Sequence, residues 1–478
     1  MKKKWSSLFY FFIVAGLGTV IFWIIKKGAS LQDPVFTAQQ AQKAKETSTI
    51  DSFRFFTGSF NHNLTDPLAV LLLQIIVIIA CARFAGFLFK KIGQPAVIGE
   101  IVAGIILGPS VLGFFFPGIN HFLFPAASLS TLNFLSQIGL ILFMFIIGME
   151  IDLKAIGKQA YDAVIISHAS IIIPYALGVT LAYFIYRDYA PAGTSFLSFA
   201  LFMGIAMSIT AFPVLARILQ EKGLTRSRLG AMALTCAAAD DLTAWCILAA
   251  VIALVKSGSS ISVLYTIGFA VVYVFIMMKG VRPYLEKLST VYDNKIKRRT
   301  PIIALLFVIL IISSYITSII GVHALFGAFM AGVIMPGSFS FRKIVVDKIE
   351  DVSIILLLPL FFVITGLRTE IGLINEGHLW ITFGWILLVA VAGKFGGSAL
   401  AARMVGQSWK DSLSIGVLMN TRGLMQLIVL NIGYDLGILS PEIYAMMVLM
   451  ALVTTFMTGP ALDLINWMMP EKEEKKHA

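Results

Sequence analysis

The sequence predicts an all-α membrane protein of thirteen core transmembrane helices preceded by one N-terminal helix, and three observations lead there. Hydrophobic types make up 58% of the 478 residues and charged types only 13%, against about 45–50% and about 25% in a soluble domain. The apolar residues fall into long runs. A bilayer core of about 30 Å needs roughly 20 apolar residues per helical span, and fourteen runs of suitable character can be marked along the chain. The Lys and Arg residues sort unevenly between the loops, as the positive-inside rule requires.

Residues 1–27 form the first element. Lys2, Lys3 and Lys4 precede an apolar run from Leu8 to Ile25, and Lys26 and Lys27 follow it. The run exceeds the usual signal-peptide core of about 7–15 residues, so an uncleaved anchor helix is expected over a cleaved signal. Residues 28–67 are polar and form an extracytoplasmic segment. The thirteen further runs cover 68–89, 95–116, 131–149, 160–186, 195–216, 229–255, 261–278, 301–320, 322–336, 351–367, 377–402, 411–433 and 441–468. A single straight helix over 301–336 would be about 54 Å long, too long for one span, so Gly321 is expected to divide it. The charged residues 469–478 form a short cytoplasmic tail.

With the N-terminus in the cytoplasm, 26 of the 37 basic residues lie in inside loops, eight lie outside, and Arg83, Lys394 and Arg422 fall within spans. The net charge of +11 is thereby explained by topology, and nucleic acid is not expected as a partner. Both termini are placed in the cytoplasm of a cell membrane, bacterial and inner by expectation. The three cysteines form no CxxC pair, and the six histidines show no HExxH spacing. A disulfide framework, a zinc site and metalloprotease chemistry are therefore excluded.

The chain also repeats itself. Gly99 to Ile106 reads like Gly327 to Ile334, and each stretch is followed by a proline, Pro109 or Pro336. One span later, Leu142-Phe143 leads to Gly148-Met149, and Leu360-Phe361 leads to Gly366-Leu367. Residues 68–255 thus match 301–468 as two six-helix units, with 261–278 linking them. The offset is an odd number of spans, so the second unit is inverted in the membrane, the architecture of many secondary transporters. Such proteins place their sites near the midplane, on discontinuous helices at matched positions. The fifth helix of each unit carries a helix-breaking stretch with hydroxyls beside it: Ser208-Ile209-Thr210-Ala211-Phe212-Pro213 in the first, Asn420-Thr421-Arg422-Gly423 in the second.

A charge at the centre of a span costs roughly 2.5–3.5 kcal/mol on insertion scales. The deep candidates are Arg83, Glu100, Asp240, Asp241, Lys394 and Arg422. Asp240 and Asp241 stand at the middle of 229–255. Adjacent carboxylates in low dielectric are a poor structural device, because both cannot easily stay ionised. They suit exchange: one carboxylate can hold a monovalent cation or a proton, and hardly both. Neighbours on a helix point about 100° apart, so one Asp can face an ion path while the other faces a partner helix. Lys394 lies too deep to reach the interface and is the natural partner for one Asp. Arg422 is expected to offset converging helix ends. Glu100 belongs to a polar network or pairs with Arg83. Asn133, Ser136 and Gln137 are expected to link helices, and His168 to be a satisfied core histidine.

At these residues the sequence resembles the second branch of the monovalent cation:proton antiporters, which covers bacterial paired-aspartate Na+/H+ exchangers, potassium-efflux antiporters and plant cation/H+ exchangers. The matching pieces are Gly99-Glu100 through Pro109-Ser110, Ser208 through Arg217, Ala239-Asp240-Asp241-Leu242, Gly366-Leu367-Arg368-Thr369, Gly393-Lys394-Phe395-Gly396 and Asn420-Thr421-Arg422-Gly423-Leu424. The resemblance implies two crossing discontinuous helices beside the Asp pair, an ion-carrying core domain, a dimerisation domain, elevator-like alternating access and a homodimer in the lipid bilayer. It implies that Asp241 is the principal cation and proton carboxylate. Asp240 would pair with Lys394 when no ion is bound, and Thr210, with Asn420 and Thr421, would line the site. The transported species would be Na+, K+ or Li+ and H+, with no resident cofactor and no enzymatic chemistry. Gln426 departs from the acidic residue of many relatives, and the large regulatory domain of the potassium-efflux members is not expected within this chain. The Asp pair with a lysine favours sodium, whereas Gln426 and the Asn-Thr-Arg-Gly run resemble potassium-handling relatives, so the cation stays open. A proton-coupled symporter or a cation channel is the alternative. An intramembrane aspartyl protease would need its two Asp on different helices, sharing a proton across the site.

Overall fold

A computed structural model describes residues 2–28, 57–60, 62–150, 160–224, 227–257, 260–287, 299–336, 349–374 and 377–469. Most of the expected extracytoplasmic segment, several basic loops and nearly all of the C-terminal tail lie outside these residues. Helices are the regular structure of all of them. Chain contacts divide the protein into two units, Met1–Val70 and Leu71–Ala478.

The first unit holds helix α1 (Lys2–Gly28), whose apolar run carries Lys26 and Lys27 in its last turn. Helix α2 (Pro67–Lys91) starts at its end. Pro67 occupies a first-turn position that needs no N–H donor, and the Asp66 carboxylate accepts from Leu68 N at 3.1 Å, satisfying one orphan donor there.

The second unit continues with α3 (Ala96–Leu107), the short α4 (Pro117–Leu123), α5 (Ala126–Glu150) and α6 (Ala160–Tyr189). The expected span 195–216 is two half helices, α7 (Phe196–Ser208) and α8 (Phe212–Glu221). Then come α9 (Arg228–Ser257), α10 (Ser260–Phe275), α11 (Arg299–Ile320) and α12 (Ala324–Val333). The chain goes on through α13 (Leu358–Leu367), α14 (Gly377–Val391) and α15 (Gly397–Met404). The expected span 411–433 is again two half helices, α16 (Trp409–Met419) and α17 (Leu424–Asp435), and α18 (Pro441–Met468) follows.

Twelve helical segments among the described residues are long and apolar enough to cross a membrane, the broken ones counted as one each. The protein is an integral, multi-pass membrane protein. Gly321 divides 301–336 as expected: its φ of +95° is open to glycine at no cost and turns the chain between α11 and α12. The expected span 322–336 is reduced to a ten-residue helix, about 15 Å long and half of a hydrocarbon core.

Glycines set the closest helix contacts. A Cβ built on Gly104 of α3 would stand 2.9 Å from Gly366 Cα of α13, and one on Gly366 2.6 Å from Gly104 Cα. A Cβ on Gly332 of α12 would stand 2.8 Å from Gly148 Cα of α5, and one on Gly148 3.0 Å from Gly332 Cα. Small residues let backbones approach where lipid offers no hydrophobic drive to associate. Gly104 and Gly332 hold matched places in the repeated sequence, as do Gly148 and Gly366, and in each pair one matched helix lies on the other's counterpart.

Two polar expectations are corrected. Ser136 does not link helices: its Oγ donates to Asn133 O of the same helix at 2.8 Å. His168 is not a core residue. It lies on the exposed face of α6, because Ser167, beside it, points inward and neighbours diverge by about 100°. Its Nδ1 is 2.8 Å from Val164 O, one turn back.

Gly104→Ala is expected to destabilise the protein by about 1–3 kcal/mol through overpacking. Gly384→Ala, with nothing within 4 Å of the new Cβ, should be neutral or stabilising by up to about 1 kcal/mol, the helix propensity gain. Chemical unfolding of the two variants in detergent micelles measures the contrast.

Candidate functional site

Three helix interruptions, two of them at prolines, bring backbone carbonyls to one place. Helix α7 ends at Ser208, and Ile209 to Ala211 run extended before Pro213 opens α8. Helix α16 ends at Met419, and the chain passes through Asn420 to Gly423 before α17 begins. The two breaks touch. Ala211 N donates to Thr421 O at 3.0 Å, and Thr210 Oγ1 lies 3.1 Å from Met419 O. In α6, Pro174 has no N–H to offer the carbonyl of Ser170 one turn earlier, so that carbonyl is free as well.

Two buried cations answer these carbonyls. Lys394 stands in a widened turn, Ala392–Gly396, between α14 and α15. Such turns insert a residue and often accompany functional sites. Lys394 is fully buried. Its Nζ donates to Ser170 O at 2.8 Å, to the Ser208 carbonyl, and to Asp240 Oδ2 at 3.0 Å. Arg422, also fully buried, donates from Nη2 to Met207 O at 2.9 Å and from Nη1 to Ala206 O and Gln426 Oε1, both at 3.1 Å. The C-terminal carbonyls of α7 are thus held by two positive side chains, the sign that a helix C-terminus favours. The Arg422 backbone is fixed in turn by Thr455 Oγ1, which accepts from Arg422 N at 3.2 Å. Gln426, the departure noted in the sequence, is the neutral acceptor one turn from Arg422.

The two aspartates, side by side on α9, differ sharply. Asp240 is saturated. Ser167 Oγ donates to its Oδ1 at 2.5 Å, Ser170 Oγ to Oδ2 at 2.6 Å, and Thr210 Oγ1 lies 2.7 Å from Oδ2. Asp241, 1% exposed, has no hydrogen-bond partner on either carboxylate oxygen. Burial without partners is costly for a polar group and more so for a charge. Asn420 Oδ1, at the crossing, is likewise buried and unpartnered.

The geometry therefore brings together Asp240, Lys394, Thr210, Thr421, Asn420 and Arg422, with Asp241 next to Asp240 in sequence. Thr421 contributes its carbonyl to Ala211, and its Oγ1 donates to Thr458 Oγ1 at 3.3 Å. Glu100 is not joined to this group. It is buried in α3, and no ion pair with Arg83 forms: Arg83 lies on the exposed face of α2 and donates to Ile354 O at 3.1 Å, a carbonyl in the widened turn before α13. Sequence reasoning passed over Ser167 and Ser170. Their spacing of three on a predicted helix, one turn before Pro174, was the signal, since positions three apart share a face.

Lys394→Met leaves the Asp240 charge buried with hydroxyls alone, and is expected to destabilise the protein by about 3–5 kcal/mol. The double variant Asp240→Asn/Lys394→Met should regain most of that loss. A double-mutant cycle in chemical unfolding measures the coupling.

The model of the family described as "Sodium/hydrogen exchanger, transmembrane" matches residues 76–466. The Na+/H+ antiporter NhaS4 of Synechocystis sp. is 41% identical over 397 residues, covering 83% of this chain and 97% of that protein. Cation/H+ antiporter 17 of Arabidopsis thaliana is 40% identical over 408 residues, and K+/H+ antiporter 1 of Saccharomyces cerevisiae 33% identical over 432 residues. These matches cover 83% and 87% of this chain, and 48% and 49% of the two eukaryotic proteins, so the chain spans about half their length. The structure of the sodium proton antiporter MjNhaP1 from Methanocaldococcus jannaschii superposes with a TM-score of 0.62 at 15% identity, covering 84% of this chain and 97% of that one, which is a likeness of fold. With two crossing broken helices around a buried Asp–Lys pair, and a family model that matches most of its length, the chain belongs to the transmembrane sodium/hydrogen exchanger family.

Proposed function

We propose that this protein is a secondary antiporter that exchanges a monovalent cation for H+, and that Asp241 is the carboxylate at which the two compete. One observation carries the reading: a buried, unpartnered Asp241 stands beside an Asp240 whose charge is already matched by Lys394. With Asp240 and Lys394 neutral as a pair, the ionised Asp241 is the local negative charge available to a mobile cation. A proton on Asp241 removes that charge, so occupancy by cation and proton is mutually exclusive. Asn420 Oδ1 and Thr210 Oγ1 are neutral oxygen donors of the kind that hard cations take.

The remaining parts of the mechanism follow from this reading. The crossing helices form part of an ion-carrying domain that moves as an elevator against a second, dimer-forming domain. The matched glycine contacts support an origin by inverted duplication of 68–255 and 301–468. Both termini lie in the cytoplasm of a bacterial inner membrane, and the working form is a homodimer. The curated relatives carry the names of sodium, potassium and unspecified cation antiporters, so Na+, K+ and Li+ are the candidate substrates.

Purified protein in liposomes with an internal pH dye and an imposed pH gradient tests the function. Addition of Na+, Li+, K+ or Rb+ is expected to evoke a proton flux with at least one cation, and Asp241→Asn should reduce it to the protein-free background. Absence of flux with every cation between pH 6 and 9 would refute antiport. Flux that persists in Asp241→Asn would move the site off this residue.

A further inference from the structure

Helix α9 packs into two apolar clusters in succession along its length. Met232, Ala233, Cys236 and Ala237, before the aspartates, join one apolar cluster with α8 and α16. Ala244, Trp245, Leu248 and Ile252 join the other cluster, with Phe329 of α12. Asp241 stands one turn before Trp245, so the two share a face of the helix. Helical side chains lean toward the helix N-terminus. That direction carries the indole of Trp245 toward the turn of Asp241.

Trp245 is 1% exposed, and its Nε1–H has no hydrogen-bond partner. The ring belongs to an apolar cluster, where packing alone would be served by phenylalanine. Instead the face holds a buried donor without an acceptor and, one turn away, a buried carboxylate without a donor. An indole N–H can only donate and an ionised carboxylate can only accept. The ring is held flat by Phe329, stacked at 6.2 Å between centroids and 28° between planes. Phe329 is itself fixed, because α12 meets α5 backbone to backbone at Gly332 and Gly148.

We propose that Trp245 is a positioning residue for Asp241. Its indole N–H hydrogen-bonds one carboxylate oxygen of ionised Asp241 and leaves the other oxygen to the cation, while the ring closes this side of the site against water. The inference rests on the reading of Asp241 as the exchanging carboxylate. A charge-assisted hydrogen bond of this kind is stronger than a neutral one. It acts on the ionised, cation-binding form, so its loss appears in the KM for the cation and not in the turnover rate.

The test is the proteoliposome flux assay with whichever cation gives flux in the wild type. Trp245→Phe keeps an aromatic ring against Phe329 and removes only the N–H. Its KM for the cation is expected to rise about tenfold, the usual order for a hydrogen bond to a charged group, with kcat within about twofold of wild type. Phe329→Leu keeps the N–H but loosens the ring, and is expected to raise KM about threefold. It decides the matter should Trp245→Phe fail to accumulate in the membrane. A KM within twofold of wild type in every variant that folds would overturn the proposal and leave antiport at Asp241 intact. A wild type without flux for any cation would overturn the antiport reading and this inference with it.

Discussion

The site depends on how the broken end of α7 is paid for electrostatically. Its last carbonyls point into a protein interior with no helix ahead to accept from. Lys394 and Arg422 supply the donors, the first from the widened turn after α14 and the second from the break between α16 and α17. A buried ammonium and a buried guanidinium are themselves costly. Each is tolerable because it is bonded to several oxygens at once: Lys394 to Ser170 O and Asp240, Arg422 to Met207 O, Ala206 O and Gln426. The break, the two cations and Asp240 therefore stand or fall together. Pro174 is part of the same arrangement, because it releases the Ser170 carbonyl for Lys394.

That arrangement explains why two adjacent carboxylates can do different work. The 100° between neighbours on α9 turns Asp240 toward the serines of α6, Thr210 in the break after α7, and Lys394, and leaves Asp241 without a hydrogen-bond partner. Asp240 is held by three hydroxyls and an ammonium, and so is fixed in place and in charge. Asp241 has no hydrogen-bond partner to hold it.

Around the site the framework is rigid for a different reason. Gly104 with Gly366, and Gly148 with Gly332, bring helix backbones into direct contact, which leaves little room for side chains to yield. At the end of α13, Arg368 Nη1 lies 2.9 Å from both Asn431 Oδ1 and Asp435 Oδ1 of α17. Asn431 Nδ2 in turn donates to Thr365 Oγ1 at 2.9 Å. The half helix that follows the Arg422 break is thereby tied to α13, so the broken helix is fixed at its outer end as well as at the crossing.

Much of this was legible in the sequence. Hydropathy marked a multi-span helical protein but not the exact number of spans, since an apolar run must satisfy its own backbone in lipid and can do so as a helix of any sufficient length. The breaks at Pro213 and at Asn420–Gly423 were readable from residue types, and the depth of Asp240, Asp241 and Lys394 marked them as costly and hence purposeful. The tertiary structure decided the pairings. Whether Glu100 meets Arg83, whether Ser136 bonds across or within its helix, and which serines reach Asp240 depend on how helices distant in sequence are rotated and set in depth. A one-residue change of phase on a helix moves a side chain by about 100°, and local pattern does not fix that angle to the precision a hydrogen bond demands. The sequence by itself determined a polytopic helical membrane protein with a charged midplane. Only the packing of α6, α7, α9 and α14 decided that Asp240 is spoken for and Asp241 is not, because a hydrogen bond is made or lost within a fraction of an ångström.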